Sequence, residues 1–162
     1  TQILFDLPAS AITGVFKYFS YHEASKTYIF ADERELNGIK YTAVQGFSDD
    51  TSKRFEVMIG PDISNLAINQ STGLLYVAEN HSTSAGNIRE IDIKSGFAKN
   101  AVESNNSLAI GAYTNIQIDP TTNRLYIGDD VSDSIFVADL SARTIGELNV
   151  APVIVDEIAT EN

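Results

Sequence analysis

The sequence predicts an all-β fold assembled from repeated units. Short apolar runs rich in β-branched and aromatic residues recur at close intervals, bounded by Gly, Asn, Asp, Ser and Thr, which is typical of consecutive strands and turns. No stretch of a dozen residues keeps a 3.6-residue apolar period, so few helices are expected. The length of 162 residues allows one domain with one full-sized core.

Three segments of the chain align with one another without a gap. They are FSYHEASKTYIFADE from Phe19, LAINQSTGLLYVAEN from Leu66 and IQIDPTTNRLYIGDD from Ile116, at offsets of 47 and 50 residues. Each segment begins with apolar alternation, which predicts a half-buried strand. A polar turn follows, and then a continuous apolar run that predicts a strand covered on both faces.

The last residue of each polar turn is predicted to close a short hairpin. These residues are Lys26, Gly73 and Asn123. Gly and Asn suit the left-handed backbone position at the end of such a turn, whereas Lys is predicted to be strained there or to use another turn. His22, in the turn position filled by Asn69 and Asp119 in the other repeats, is interpreted as a turn residue.

Two further strands complete each unit. The second strand is predicted to end in a small, an acidic and a polar residue, at 31–33, 78–80 and 128–130. A third run begins at Ile39, Ile88 and Ile135 and closes at Gly46 or Gly96 in the first two units; a weaker fourth strand is predicted at 55–59, 101–102 and 144–148. Four antiparallel strands in about 48 residues make one β-propeller blade, so the sequence predicts blades at about 12–60, 61–108 and 112–150.

The two ends of the sequence fall outside these blades. Segments 1–8 and 151–162 are predicted to be strands that complete other blades. Closed propellers have about four to eight blades, so three blades are expected to belong to a larger ring of about six or seven. Further blades of a longer chain, a second copy joined head to tail, or a different polypeptide would complete it. Strands at both ends favour the last two, because a strand from one terminus can complete a blade begun at the other.

The composition excludes several classes of function. The chain has 11 Lys and Arg against 22 Asp and Glu, and its net charge of -11 repels phosphate backbones, so no nucleic-acid partner is expected. No apolar run is long enough for a membrane span. The absence of cysteine excludes disulfides, thiolate–zinc sites and a cysteine nucleophile. The compartment stays open, with a secreted or extracytoplasmic location favoured.

Two blades carry a resemblance to a known family. The motif LLYVAEN followed by NIREIDIKSG, and the motif RLYIGDD followed by SIFVADL, resemble blades of YVTN and NHL-type β-propellers. Gluconolactonase-type and strictosidine-synthase-type enzymes share that architecture with six blades. The resemblance implies architecture rather than one activity, because such propellers include surface proteins, binding platforms and metal-dependent hydrolases.

The resemblance also implies a ligand-binding rim where the second strands end. Carboxylate and amide oxygens there suit Ca²⁺ or Mg²⁺, and in gluconolactonase-type enzymes a calcium ion polarises a lactone or ester carbonyl. The implied calcium ligands are Glu79, Asn80, Asp129, Asp130 and Asp133, and the rest of the rim is Asp32, Glu33 and His81. His81 is a candidate general base or a surface residue. The interpretation we favour for the recurring acid is structural, as a cap that accepts backbone N–H bonds in the loop.

Three hypotheses for function follow. The first is a non-catalytic interaction propeller that a partner chain or a second copy completes. The second is a lactonase or esterase that depends on a divalent metal, with its site shared between this chain and the missing blades. The third is a glycan-binding surface protein, which needs aromatic platforms; Tyr113, Phe47 and Phe97, in or near loops, are the candidates.

Overall fold

In a computed structural model, the described residues are 14–49, 52–60, 62–80, 87–101, 113–129 and 134–147. They form twelve β-strands. The strands are β1 (Val15–His22), β2 (Thr27–Leu36), β3 (Ile39–Ser48), β4 (Lys53–Ile59), β5 (Asp62–Asn69), β6 (Leu74–Asn80), β7 (Asn87–Asp92), β8 (Ala98–Asn100), β9 (Tyr113–Asp119), β10 (Arg124–Asp129), β11 (Ser134–Asp139) and β12 (Thr144–Glu147). No helix long and apolar enough to cross a membrane occurs among these residues.

The strands of the described ranges form three four-stranded antiparallel sheets. The first blade is β1–β4, the second is β5–β8 and the third is β9–β12, each in chain order. The predicted fold class, all-β with blades of a partial propeller, is therefore confirmed. One strand was misplaced: in the second blade the fourth strand is Ala98–Asn100 rather than 101–102. It starts earlier because the turn closed by Gly96 brings the chain directly back along β7.

The first hairpin of each blade is closed by a residue in the left-handed region. Its φ is +48° at Lys26, +70° at Gly73 and +53° at Asn123. The prediction for Gly73 and Asn123 is confirmed, and Lys26 adopts the same conformation rather than a different turn. A lysine there carries the steric strain that glycine avoids, because its Cβ approaches the backbone carbonyl.

The hairpin between β2 and β3 is longer than the sequence repeat predicts. β2 continues three residues past Glu33, and the chain turns at Asn37 and Gly38, whose φ values are +54° and +79°. Two positive φ angles in an Asn-Gly pair make the two-residue turn that matches the twist of a hairpin. Gly46, predicted to close the third run, lies inside β3; a Cβ there would be 2.2 Å from the ring of Phe55.

Two apolar clusters hold the three blades together. The first cluster lies between the first and second blades and contains Ile29, Ala31, Leu75 and Val77 among its residues. The second lies between the second and third blades, where Tyr76 and Ala78 pack with Leu125, Ile127 and Phe136. Because side chains alternate along a strand, successive residues of β2, β6 and β10 face opposite sides of their blade, and among the described residues only β6 has another blade on both sides.

Polar contacts also join neighbouring blades. His22 is 3% exposed, and its Nε2 lies 3.1 Å from the carbonyl oxygen of Gln70 in the second blade. The Gln70 amide in turn donates to the carbonyl of Tyr21 at 2.8 Å. His22 is thus more than a turn residue, since it links two blades. Between the next two blades, Asn65 donates to the side chain of Asn115.

Candidate functional site

The recurring acid lies on the same face of its blade in every repeat: this face is directed toward the preceding blade in the second and third blades and outward in the first. Asp32, Glu79 and Asp129 lie at equivalent positions in β2, β6 and β10 and are 0%, 1% and 4% exposed. Glu79 shares a face of β6 with Leu75 and Val77, which pack against the first blade. Asp129 likewise faces the second blade. Glu79 therefore lies between the first and second blades, Asp129 lies between the second and third, and Asp32 lies on the outward side of the first.

Asp32 lies in the middle of β2 and not at a strand end, which corrects the prediction for 31–33. Its carboxylate accepts hydrogen bonds from Nε of Arg34 at 2.7 Å and from Nε2 of Gln45 at 2.9 Å. Arg34 also lies 3.4 Å from Glu56. A buried carboxylate with a cationic and a neutral donor is satisfied where it stands.

Glu79 and Glu33 are also paired with cations. Nε of Arg89 lies 2.8 Å from Oε1 of Glu79. Glu33 lies 3.0 Å from Nζ of Lys40 and 3.3 Å from Nζ of Lys17, and hydrogen bonds first from Lys40 and then from Lys17 lower the pKa of Glu33. These pairs are structural contacts within the blades.

The implied calcium site draws little support from the described ranges. Within them, no group of three or more His, Asp or Glu side chains is placed to hold a metal ion. Asn80 ends β6. Asp130, Asp133 and His81 lie outside the described residues. The calcium ligand set therefore stays a prediction, with the acids that can be placed pointing into different spaces.

The first blade exposes an aromatic surface on the side away from the second blade. We call this the outward face of the first blade, formed by Phe16, Phe19, Tyr28, Phe30 and Phe47. Phe16 and Phe19 are 48% and 53% exposed, and their rings lie 6.1 Å and 5.2 Å from that of Phe30. Phe47, predicted in or near a loop, lies in β3 and is 3% exposed.

The same face continues to the tip of the long hairpin. Leu36, Ile39 and Met58 are 59%, 70% and 68% exposed and, with Tyr41, line a shallow apolar depression. By alternation these side chains are on the side of β2, β3 and β4 that carries Phe30 and Phe47. Apolar patches of this kind on a soluble protein mark interaction sites.

The third blade also has an exposed face, on the side directed away from the second blade. We call it the outward face of the third blade, which includes Gln117, Tyr126, Gly128 and Ile135. Ile135 pairs with Gly128 as Ile88 pairs with Ala78 in the second blade. Ile135 is 46% exposed, whereas Ile88 is 1% exposed because the third blade covers it.

Neither outward face was predicted as a specific site from the sequence. The signal was present in the alignment, because Phe19 and Phe30 occupy the positions of Leu66 and Val77, and Ile135 occupies that of Ile88. An apolar residue at a position that is buried in one blade is expected to pack against a neighbouring surface in the other blades as well.

Comparison with known proteins supports the architecture. No family model and no curated protein matches the chain. A solved structure of a nidogen/laminin complex has a TM-score of 0.55 at 12% identity, covering 85% of this chain and 50% of that chain. A putative 6-phosphogluconolactonase from Bacteroides fragilis has a TM-score of 0.54 at 12% identity, covering 83% of this chain and 38% of that one. The chain thus has a β-propeller-like fold and spans half or less of these structures.

Proposed function

We propose that this chain is a non-catalytic interaction segment of a β-propeller whose outward faces are covered by further blades. Another polypeptide or a second copy supplies these blades. The observation that carries the proposal is the contrast between Ile88 and Ile135, which hold the same position at 1% and 46% exposure. The outward face of the third blade therefore carries an apolar residue at a position that is buried against a neighbouring blade in the second blade.

The exposed side chains give the association its driving force. Burying one Phe or Ile side chain contributes about 1.5–3 kcal/mol, and each face carries at least one such side chain near half exposure. A standard protein interface buries about 800 Å² per partner, which is the scale of one blade face. The gain from apolar burial therefore favours a covered face over a bare one.

The mass of the protein in solution tests the proposal. Light scattering is expected to give more than the 17.6 kDa of one chain, from a second copy or from a polypeptide that co-purifies. Ile135→Asp is expected to weaken the complex by placing a charge in the covered face. Phe97→Asp is the matched control, since Phe97 is 66% exposed but lies in the turn between β7 and β8. A well-behaved 17.6 kDa monomer without a bound polypeptide contradicts the proposal.

A calcium-dependent lactonase is the second candidate, favoured by the fold shared with the putative 6-phosphogluconolactonase. Calcium bound only by the native state would raise the melting temperature, and EDTA would reverse the rise. Asp129→Asn is expected to abolish that shift if Asp129 is a ligand, with Asp92→Asn, at the end of β7 in the second blade, as a control. A melting curve unmoved by calcium and EDTA rules out this function.

A further inference from the structure

We infer that the outward face of the third blade is covered by a propeller blade of another polypeptide, whose first hairpin turn presents a lysine or arginine side chain to Asp119. This inference rests on the proposed function and names the chemistry of the partner. It follows from the residue that opens the first hairpin turn of each blade. That residue is His22 in the first blade, Asn69 in the second and Asp119 in the third.

The side chain at this position joins one blade to the next. Nε2 of His22 lies 3.1 Å from the carbonyl oxygen of Gln70 in the second blade. Nδ2 of Asn69 lies 3.4 Å from Oδ1 of Asn123 in the third. Both side chains are buried where two blades meet, with 3% of His22 and 1% of Asn69 exposed. In both contacts the following blade supplies an oxygen that accepts a hydrogen bond.

The same side chain also accepts a hydrogen bond from its own turn. The N–H of Ser25 donates to Nδ1 of His22 at 3.2 Å. The N–H of Ser71 donates to Oδ1 of Asn69 at 3.0 Å. Because Nδ1 and Oδ1 are the acceptors within the turn, Nε2 and Nδ2 are the groups that donate to the next blade.

Asp119 keeps the contact within the turn but has no group that can donate to a following blade. Its carboxylate accepts from the N–H of Thr121 at 2.8 Å and from the hydroxyl of Thr122 at 2.7 Å. An ionised carboxylate accepts hydrogen bonds only. Asp119 follows Gln117 by two residues in β9, so it lies half-buried on the outward face of the third blade. A blade that covers this face must therefore supply the donor.

The charges on this face favour a cationic donor. Among its strand residues that the structure describes, the charged ones are Asp119, Arg124 and Asp139. Arg124 lies between the two acids, opposite Asp119 in one ladder and opposite Asp139 in the other. One cation is thus shared by two carboxylates. Covering the face removes water from them, and a covered carboxylate is tolerated when a cation and further hydrogen bonds replace that water.

The charge of the whole chain favours a different polypeptide over a second copy as the source of this blade. Each copy carries a net charge of -11, so two copies repel one another. A partner of lower negative charge avoids this repulsion and can place a lysine or arginine at Asp119. Complementary charges of this kind select one partner over another.

The requirement for a cation is tested first inside this chain, between the second and third blades. Asn69→Asp puts a carboxylate against Oδ1 of Asn123 and is expected to lower the urea midpoint. Asn123 can turn its amide only by giving up its bond to Ser141. Adding Asn123→Lys is expected to restore at least half of the loss, because Lys26 already holds the same left-handed position. Asn123→Met, without a charge, is the control and is expected to restore none of it.

The complex with the co-purified polypeptide then tests Asp119 itself. Its dissociation constant is measured by light scattering on dilution. Asp119→Asn keeps an oxygen for the turn, as Asn69 does, but directs an N–H group at the partner's cation. We expect the dissociation constant to rise at least tenfold. Asp92→Asn makes the same change in a turn-capping aspartate of the second blade and is expected to leave the constant unchanged.

The opposite results overturn the inference. If Asp119→Asn leaves the complex unchanged or tightens it, the partner presents no cation there, and tightening means that it offers an acceptor as Gln70 does. If Asn123→Lys restores no more stability than Asn123→Met, a carboxylate at this position needs no cation from the next blade. A complex of two copies, which carry Lys26 at the position of Asn123, overturns the different polypeptide but leaves the proposed function standing. A 17.6 kDa monomer without partners overturns both.

Discussion

Nε of Arg34 lies 2.7 Å from Oδ2 of Asp32, two residues earlier on the same face of β2. The Asp32 side chain is fully buried and that of Arg34 is 13% exposed. Removal of one partner leaves an uncompensated buried charge, so Arg34→Ala is expected to lower the free energy of unfolding by about 3 kcal/mol. Urea denaturation measures the loss.

Lys53→Ala serves as the control for that change. Lys53 pairs with Glu56, but its side chain is 46% exposed, and exposed ion pairs contribute under about 1 kcal/mol. If Arg34→Ala and Lys53→Ala lower the free energy of unfolding equally, the buried Asp32–Arg34 pair contributes no more to stability than an exposed pair.

Lys26→Gly is expected to stabilise the protein by about 0.5–1 kcal/mol. The left-handed conformation costs an L-residue about 1–2 kcal/mol, and the greater freedom of glycine in the unfolded chain offsets part of the gain. The Lys26–Asp49 ion pair that is lost is long, at 4.0 Å, and exposed. Urea midpoints of the variant and the parent give the difference.

The reciprocal change at Gly73 tests the same cause. Gly73→Ala places a Cβ no closer than 3.6 Å to its neighbours, so its loss, about 1 kcal/mol, comes from the φ of +70° and not from a clash. If both Lys26→Gly and Gly73→Ala stabilise the protein, or if neither does, the steric strain of the left-handed conformation is not what sets the stability of these hairpins.

Acid is expected to remove the contribution of Asp119 to stability. Hydrogen bonds from the Thr122 hydroxyl, at 2.7 Å, and from the Thr121 N–H lower the pKa of Asp119 below its usual 3.8. The folded state thus binds the proton less well than the unfolded state, so the stabilisation is full above pH 3.8 and disappears as the pH falls through the lowered value. The difference in melting temperature between the parent and Asp119→Ala should shrink in that range, and a constant difference would contradict it.

Added salt is expected to strengthen the association of two copies. Each chain carries a net charge of -11, and two acidic chains repel one another unless ions screen them. Light scattering at increasing sodium chloride should show the dimer forming at lower protein concentration. Weakening by salt would instead indicate a partner of opposite charge.

The sequence was sufficient for features that depend on neighbouring residues. Alternation and turn residues predicted the first hairpin of each blade, including the left-handed position of Gly73 and Asn123, because these features are set within a few residues of the chain. The starts of the third strands were placed within one residue, at Ile39, Asn87 and Ser134. The extension of β2 to Leu36 was missed, although the Asn37-Gly38 pair was there to signal it.

The placement of the acids and the exposure of the two outward faces were decided by the tertiary structure. Asp32, Glu79 and Asp129 recur in the sequence as if they formed one set, yet Glu79 faces the first blade, Asp129 faces the second, and Asp32 lies on the outward side of the first. Ile88 and Ile135 are identical residues at equivalent positions, and the third blade covers only the first of them. The burial of a blade face depends on which other sheet packs against it, and that contact joins residues far apart in the sequence. The local sequence pattern therefore predicts the positions of the strands but not which of their faces are covered.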